Sequence, residues 1–230
     1  MIFMKQQNLI ITISRQYGSG GREIGRMLAE ELGLAFYDKE LIALAAQKSG
    51  ISKELFENAD EMPSNSFLYS LSMGTHGIGT AGVPQFADIL TNDKLFVLQS
   101  KVIRELADQN PCVIVGRCAD YILRDRPRCV NVFFFAQESV REERICAEEG
   151  LSAAQAKEKI RKIDKRRASY YNYYSDMPWG VATSYHLSLD TTRLTSRQAA
   201  GVVKAYLQGI YPPGIFSNTK ATPHKPRLGL

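Results

Sequence analysis

Four consecutive residues, Gly18, Ser19, Gly20 and Gly21, follow the apolar run 9–14 and precede a series of good helix formers. Clustered glycines permit positive φ angles and let backbone N–H groups turn towards an anion. The helix that follows would add the positive end of its dipole at the same place. The pattern predicts a phosphate-binding loop, although a purely structural turn between a strand and a helix would use similar residues.

The lysine that usually completes such a loop is missing. In the pattern GxxxxGK[ST], a final glycine at Gly20 places Gly21 at the lysine position. A final glycine at Gly21 instead places Arg22 at the lysine position and Glu23 at the hydroxyl position. We therefore predict that Arg22 replaces the lysine from the first helical turn, with a planar guanidinium in place of a point charge.

A second candidate follows another apolar run, in the sequence VGRCADYILRD. Gly116 ends this run and Arg117 comes next, so the arginine would project from the edge of a sheet. An arginine in this position is either a surface residue or a ligand contact. Asp120, three residues later, would orient Arg117 or place a negative charge at the start of a helix.

Two charged helical segments provide a third group of candidates. Arg141 and Arg144 are three residues apart, which puts them on one helical face, and Asp164 and Arg167 have the same spacing. A charged helical face is usually only a solvated surface. Phosphoryl transfer, however, needs several cations around the transferring group, and a closing lid often supplies them.

The histidines and cysteines form no recognisable site in the sequence. His76, His186 and His224 are scattered, without a partner that suggests nucleophilic or metal chemistry. The cysteines show no CxxC pair and are expected to be reduced, buried thiols. They are Cys112, Cys118, Cys129 and Cys146.

The apolar pattern predicts the elements that position these groups. Strands are predicted at 8–14, 34–38, 112–116, 129–136 and 185–191. Helices are predicted at 22–32, 39–48, 95–106, 139–149, 152–170 and 196–207. Strands that alternate with helices predict an α/β fold with a parallel sheet covered on both faces. Ligands of such sheets bind at the carboxyl ends of the strands, so the three candidate groups would converge at one edge.

Two segments interrupt this pattern. Residues 62–93 are rich in Gly, Ser and Thr and predict a mobile functional loop or a partly disordered insert. Residues 212–230 hold four of the nine prolines and three of the five net positive charges, and predict a disordered tail. The body of the protein is then close to neutral, and no motif indicates specific nucleic-acid binding. No apolar run approaches the roughly 18 residues that span a membrane, and a cytoplasmic protein is expected.

With these features in hand, the chain resembles the cytidylate kinase-like family of P-loop nucleoside monophosphate kinases over about residues 8–207. The motifs that carry the resemblance are ISRQYGSGGREIG, FYDKELI, CVIVGRCADYIL, IDKRRASYYNYY and LDTTRL. The resemblance implies a P-loop kinase-like three-layer fold, with a five-stranded parallel sheet and a helical lid at about 138–178. It also implies transfer of the γ-phosphoryl group of ATP to CMP or dCMP, with Mg²⁺.

The resemblance also implies a role for each candidate residue. The residues that would hold the ATP phosphates are Gly18, Ser19, Gly20, Gly21 and Arg22. The lid arginines that would neutralise the transferring phosphoryl group, together with Arg22, are Arg141 and Arg144. The residues that would bind the acceptor nucleotide are Asp38, Arg117, Asp164 and Arg167.

Typical members of the family carry aspartates where this chain has Val115 and Cys118. The carboxylate that positions the metal would then be Asp38, Asp120 or Glu23, and the sequence does not choose among them.

Two other functions are compatible with the sequence. A nucleotide-binding module without catalysis would explain the missing lysine and carboxylates. An NAD(P)-binding oxidoreductase is the other alternative, because Gly18 and Gly20 follow a strand and Asp38 lies 20 residues after Gly18, where a ribose-binding acid would sit. The third glycine of that fingerprint is Glu23 here.

Overall fold

The computed structural model describes residues 8–38 and 92–212, and these residues form alternating strands and helices. The strands are β1 (Ile10–Arg15), β2 (Ala35–Tyr37), β3 (Cys112–Val115), β4 (Cys129–Phe135) and β5 (Leu187–Asp190). The helices are α1 (Gly21–Leu32), α2 (Asn92–Gln109), α3 (Ala119–Ile122), α4 (Glu138–Glu149), α5 (Ala153–Ser175) and α6 (Ser196–Ile210). The predicted helix at 39–48, the predicted tail beyond residue 212 and all but the last two residues of the predicted insert lie outside the described residues.

The five strands form one parallel sheet in the order β2-β3-β1-β4-β5. The predicted fold class, a five-stranded parallel sheet with helices, is therefore confirmed. In this order β3 separates β2 from β1, whereas the dinucleotide-binding fold places its second strand directly beside its first. The strand order argues against the NAD(P)-binding alternative.

Helices cover both faces of the central strand β1. Successive side chains of a strand point to opposite sides of the sheet, so neighbouring residues of β1 belong to different clusters. Ile10 belongs to the cluster that packs against Ile103 of α2. Ile11 belongs to the cluster on the other face, with Leu28 of α1 and Val203 of α6. Each of these side chains contributes about 1.5–3 kcal/mol by its burial. The two layers of helices hold the carboxyl end of β1 in a fixed position.

Local signals in the sequence set several of the helix ends. Gly33 ends α1 with a φ of 65°, and a reciprocal capping box of Ser152 and Gln155 starts α5. However, α5 continues to Ser175, five residues beyond the predicted end, and α2 begins at Asn92, three residues before the predicted start. The last two residues of the predicted insert are therefore helical.

Aromatic contacts explain the added length of α5. The Tyr170 hydroxyl donates to Gln99 Oε1 of α2 at 3.1 Å, and the Tyr174 ring stacks on Phe96 with 4.0 Å between centroids. The Tyr171 hydroxyl donates to Asp120 Oδ2 of α3 at 2.7 Å. The last turns of α5 thus pack on α2 and α3, within the segment predicted as the lid.

Asp120 lies in the first turn of α3, as one of the two sequence expectations has it, and it also pairs with α5. Its side chain is buried and accepts the hydrogen bond from Tyr171. Burial raises the pKa of Asp120, and the hydrogen bond from Tyr171 acts in the opposite direction. The folded protein therefore holds a proton on Asp120 more tightly than the unfolded chain does.

This shift in pKa makes the stability contribution of Asp120 dependent on pH. A carboxyl with a raised folded-state pKa loses stability as pH rises from its ordinary value, near 3.8, through its folded-state pKa. We expect Asp120→Asn, which is neutral and keeps an acceptor for Tyr171, to be more stable than the wild type at pH 7 and to lose this advantage towards pH 4. Urea denaturation of both proteins at several pH values measures the difference. A constant difference across this range would contradict the prediction.

Three of the four cysteines, Cys112, Cys118 and Cys129, are buried, Cys146 is half-buried, and all four are free thiols. The expected burial is confirmed for Cys112, Cys118 and Cys129 but not for Cys146. Within the two described segments, no helix has both the length and the apolar character that a membrane span requires.

Candidate functional site

A cavity of about 600 Å³ lies at the carboxyl edge of the sheet, beside the ends of β1, β2 and β3. The basic residues in its wall are Arg15, Arg22, Arg26, Arg117, Arg166 and Arg167. The acidic residues in its wall are Glu23, Asp38 and Glu148. Since cations outnumber anions, the electrostatic field of this cavity favours an anionic ligand.

The glycine loop forms one side of the cavity. Gly18 and Gly20 line it and have φ angles of 77° and 78°, in the left-handed region where glycine is favoured. A Cβ on Gly18 would lie 3.0 Å from both Cβ and the carbonyl oxygen of Arg141. The loop therefore needs glycine at this position both for its backbone conformation and for its close packing against α4.

Ser19 differs from its predicted role as a phosphate ligand. Its side chain is fully buried, and Oγ donates to the Gln16 carbonyl at 2.8 Å. The Ser19 backbone N–H donates to the same carbonyl at 3.3 Å. Both polar donors of Ser19 therefore stabilise the turn itself. The helix α1 begins two residues later at Gly21, so the positive end of its dipole faces the cavity.

Arg22 and Asp38, which were predicted to bind different substrates, form one ion pair. Arg22 Nε donates to Asp38 Oδ2, with 62% of the Arg22 side chain and 7% of the Asp38 side chain exposed. Both residues line the cavity, as predicted. The charge of Arg22 is partly compensated by Asp38 at the end of β2.

Arg117 is buried in the cavity wall and has an unusual backbone conformation. It has a φ of 61° and lies between Gly116 at 78° and Cys118 at 53°, so three consecutive residues are left-handed. Each non-glycine residue in this conformation costs about 1–2 kcal/mol. Such backbone strain persists where the surrounding structure enforces it, and it is common at functional sites.

The environment of Arg117 also disfavours its own positive charge. The pKa of Arg117 is lowered to about 10, chiefly by burial; the charges of Arg15 and Arg167 also act to lower it, while Tyr170 and Asp38 act to raise it. The side chain is still charged at neutral pH. An anion bound in the cavity would offset the unfavourable free energy of burying the Arg117 guanidinium near other positive charges.

Arg167 and Arg15 complete a group that we call the arginine cluster, which consists of Arg15, Arg117 and Arg167. Arg167 Nη1 donates to the Arg15 carbonyl at 3.1 Å, and its guanidinium carbon lies 5.5 Å from the centre of the Tyr17 ring. All three members line the cavity. The structure therefore brings Arg117 and Arg167, two of the predicted acceptor contacts, to the same wall.

Asp164 and Arg141 instead hold the backbone of the loop. Asp164 Oδ1 accepts the Tyr17 backbone N–H at 2.7 Å, while Asp164 Oδ2 accepts Arg141 Nη1 at 2.6 Å. Arg141 also donates to the carbonyls of Tyr17, at 3.2 Å, and of Ala136, at 3.1 Å. Both side chains are nearly buried. We call this pair the loop clamp.

Arg144 contacts the loop in a similar way. It donates to the Gly18 carbonyl at 3.3 Å and to the Thr191 carbonyl at 2.8 Å. Within the described residues, neither Arg144 nor the two residues of the loop clamp form part of the cavity wall. Their polar groups are directed towards the backbone of the loop and its neighbours, and their contacts with a substrate stay predictions.

Arg15 lies in the cavity wall but was not among the residues predicted from the sequence motifs. A signal was available, because Arg15 stands at the first glycine of GxxxxGK when the final glycine is Gly20. The described residues contain no group of three or more His, Cys, Asp or Glu side chains that could hold a metal ion. A metal at this site would have to take part of its coordination from the ligand.

Comparison with known proteins supports the resemblance seen in the sequence. A cytidylate kinase from Pyrococcus horikoshii is 24% identical over 219 residues, which cover 94% of this chain and 97% of that protein. The crystal structure of an uncharacterised protein from Eubacterium ventriosum shares the fold, with a TM-score of 0.63 and 23% identity, over 87% of this chain and 98% of that chain. The family model described as the cytidylate kinase-like family matches residues 10–193, which include the glycine loop, the arginine cluster and the loop clamp. The chain belongs to the cytidylate kinase-like family.

Proposed function

We propose that the protein is an ATP-dependent nucleoside monophosphate kinase whose acceptor is CMP or dCMP. The observation that carries this proposal is one cavity in which a glycine loop at a helix N-terminus faces a buried arginine, Arg117. Family membership supports phosphoryl transfer, and the name of the Pyrococcus horikoshii relative supports a cytidine nucleotide as the acceptor.

The two sides of the cavity suit two different phosphate groups. The loop and the start of α1, with Arg22, would bind the phosphates of ATP through backbone N–H groups and the helix dipole. Arg117 and Arg167 would bind the phosphate of the acceptor, because a guanidinium group forms two parallel hydrogen bonds with phosphate oxygens. Since both sides belong to one cavity, the γ-phosphate of ATP and the acceptor phosphate would meet there.

The reaction requires positioning and charge neutralisation more than proton transfer. An oxygen of the acceptor phosphate attacks the γ-phosphorus of ATP, and the bond from that phosphorus to the bridging oxygen breaks, which releases ADP. The attacking oxygen needs no strong base, because a phosphate monoester has lost most of its second proton at neutral pH. The arginine cluster would stabilise the charge on the equatorial oxygens.

We assign the loop clamp and Arg144 a positioning function. Their hydrogen bonds fix the backbone from Tyr17 to Gly18, so the loop would be preorganised for a phosphate before ATP arrives. The Tyr17 hydroxyl also donates to Glu149 at the end of α4, which ties the loop to the lid helices.

The family implies Mg²⁺, and the residues of the cavity fit such an ion. Mg²⁺ at phosphoryl-transfer sites is held by one or two carboxylates together with phosphate oxygens, so a cluster of acids is not required. Asp38 and Glu23 are carboxylates in the cavity wall, and Asp120, the third candidate, lies outside it and pairs with Tyr171. Bound Mg²⁺ would neutralise charge on the β- and γ-phosphates. We propose Asp38 or Glu23 as its protein ligand.

An assay of ADP formation tests the proposed function. ATP and Mg²⁺ are incubated with CMP, dCMP, UMP, AMP or GMP, and a reaction without acceptor gives the rate of plain ATP hydrolysis. We expect CMP or dCMP to give the fastest release of ADP, at least tenfold above the rate without acceptor. The missing lysine favours one alternative, a binding module without catalysis. That function would be supported by binding of ATP and CMP without ADP formation in Mg²⁺ or Mn²⁺.

A further inference from the structure

We infer that Arg15, at the end of β1, supplies the phosphate-binding cation that the glycine loop lacks. In this interpretation the Arg15 guanidinium binds the terminal phosphates of a nucleoside triphosphate in place of the usual lysine. The inference extends the proposed function and depends on it, since it assigns a ligand contact within the same cavity.

The chain departs from GxxxxGK at two positions that are related to each other. With the final glycine at Gly20, the pattern has a glycine at position 15 and a lysine at position 21. This chain has Arg15 at the glycine position and Gly21 at the lysine position. A basic residue and a glycine have thus exchanged places.

The structure shows why these two changes depend on each other. A Cβ on Gly21 would lie 2.7 Å from Arg15 Cβ and 3.2 Å from Arg15 Cγ, which is closer than packed carbon atoms approach. The backbone of Gly21 is not in the left-handed region, so its conformation does not require glycine. Gly21 is needed because the stem of Arg15 occupies the space of a side chain there. Only one of the two positions can carry a long side chain.

The surroundings of Arg15 place its charge in the cavity. The half-buried side chain lines the cavity beside Gly18 and Gly20. Arg117 lines the same cavity, and the positive charge of Arg15 is one of the influences that lower the pKa of Arg117. The Arg15 carbonyl is held by Arg167 Nη1 at 3.1 Å. Arg15 thus connects the loop side of the cavity with the acceptor side.

Arg22 is less suited to the same task. Most of its side chain is exposed, and its guanidinium forms an ion pair with the nearly buried Asp38. Contact with a phosphate would have to compete with that carboxylate. Arg15 lies at the end of β1, and its side chain occupies the space that a side chain at position 21 would need. Position 21 is the position of the lysine in a standard loop. We therefore assign the role of the lysine to Arg15.

An exchange experiment tests this assignment with inorganic tripolyphosphate as the probe, measured by calorimetry on the full chain. We expect Arg15→Ala and Arg15→Gly to weaken tripolyphosphate binding by roughly tenfold to 100-fold, as for the loss of a charged hydrogen bond. Gly21→Lys alone should also weaken it, because Arg15 blocks the new side chain. The double variant R15G/G21K, which restores GxxxxGK, should bind at least tenfold more tightly than Arg15→Gly. Recovery will be partial, since Phe134 Cδ2 lies 3.2 Å from the new Cβ.

Two further variants separate a lost contact from a damaged fold. Arg15→Lys keeps the charge and should bind within a fewfold of the wild type. Arg104→Ala removes an exposed arginine of α2, outside the cavity wall, and should leave binding unchanged. If the wild type forms ADP and Arg15→Ala binds tripolyphosphate as tightly as the wild type does, the inference is wrong. It is also wrong if the double variant binds tripolyphosphate no more tightly than Arg15→Gly. A wild type that neither binds tripolyphosphate nor forms ADP would overturn the proposed function as well.

Discussion

Arg117→Ala is expected to lower kcat/KM for the acceptor nucleotide by roughly 100- to 1000-fold, the loss typical of removing one preorganised donor to a reacting oxyanion. Arg117 is the most buried cation in the cavity wall, which it shares with Arg15 and Arg167. Its guanidinium is therefore shielded from water and would interact strongly with a phosphate. The KM for ATP should change by less than fivefold, because the glycine loop lies on the other side of the cavity. Steady-state kinetics with each substrate varied in turn measures both effects.

A comparison of alanine with glycine at position 117 separates the function of the side chain from the strain of the backbone. Both variants remove the guanidinium and should lose the same activity. Glycine accepts the φ of 61° without strain, so Arg117→Gly should be about 1 kcal/mol more stable than Arg117→Ala. The control is Arg124→Ala, an exposed arginine outside the cavity whose guanidinium lies over the Tyr121 ring. Equal acceptor kinetics in Arg117→Ala and Arg124→Ala would remove Arg117 from the site.

The sequence predicted the elements well where the signal is local. β1 and β4 are long apolar runs, Gly33 ends α1, and Ser152 caps α5 through its own neighbour Gln155. The end of α5 was wrong by five residues, because contacts with α2 and α3, distant in the chain, stabilise its aromatic turns. No local pattern reports such contacts.

For the site, too, the sequence predicted the features that depend on neighbouring residues but not the contacts between residues distant in the chain. Clustered glycines predicted the loop, and a strand end predicted Arg117, since both depend on the path of the backbone alone. The spacing of Arg141 and Arg144 correctly placed them on one face of α4, but spacing does not reveal what that face meets. In the structure it meets the carbonyls of Tyr17 and Gly18.

The loop clamp leads to the second large effect, on stability. Asp164→Ala is expected to reduce the free energy of unfolding by about 3 kcal/mol, because it leaves a nearly buried guanidinium without its carboxylate. The Tyr17 backbone N–H would lose its acceptor as well. For a chain of this size the melting temperature should fall by roughly 6–12 °C. Asp164→Asn keeps one acceptor for the N–H and should lose less.

The matched control and the partner variant decide what Asp164 does. Glu158→Ala removes a carboxylate from an exposed pair with Arg161 on the same helix and should leave the melting temperature unchanged. Arg141→Ala should destabilise the protein, and the double variant should be little less stable than either single one, because both remove one interaction. If Asp164 instead binds the acceptor nucleotide, as the family resemblance implies, Asp164→Ala would raise the KM for CMP and leave the melting temperature unchanged. Thermal denaturation together with acceptor kinetics therefore separates a residue that shapes the loop from one that contacts the substrate.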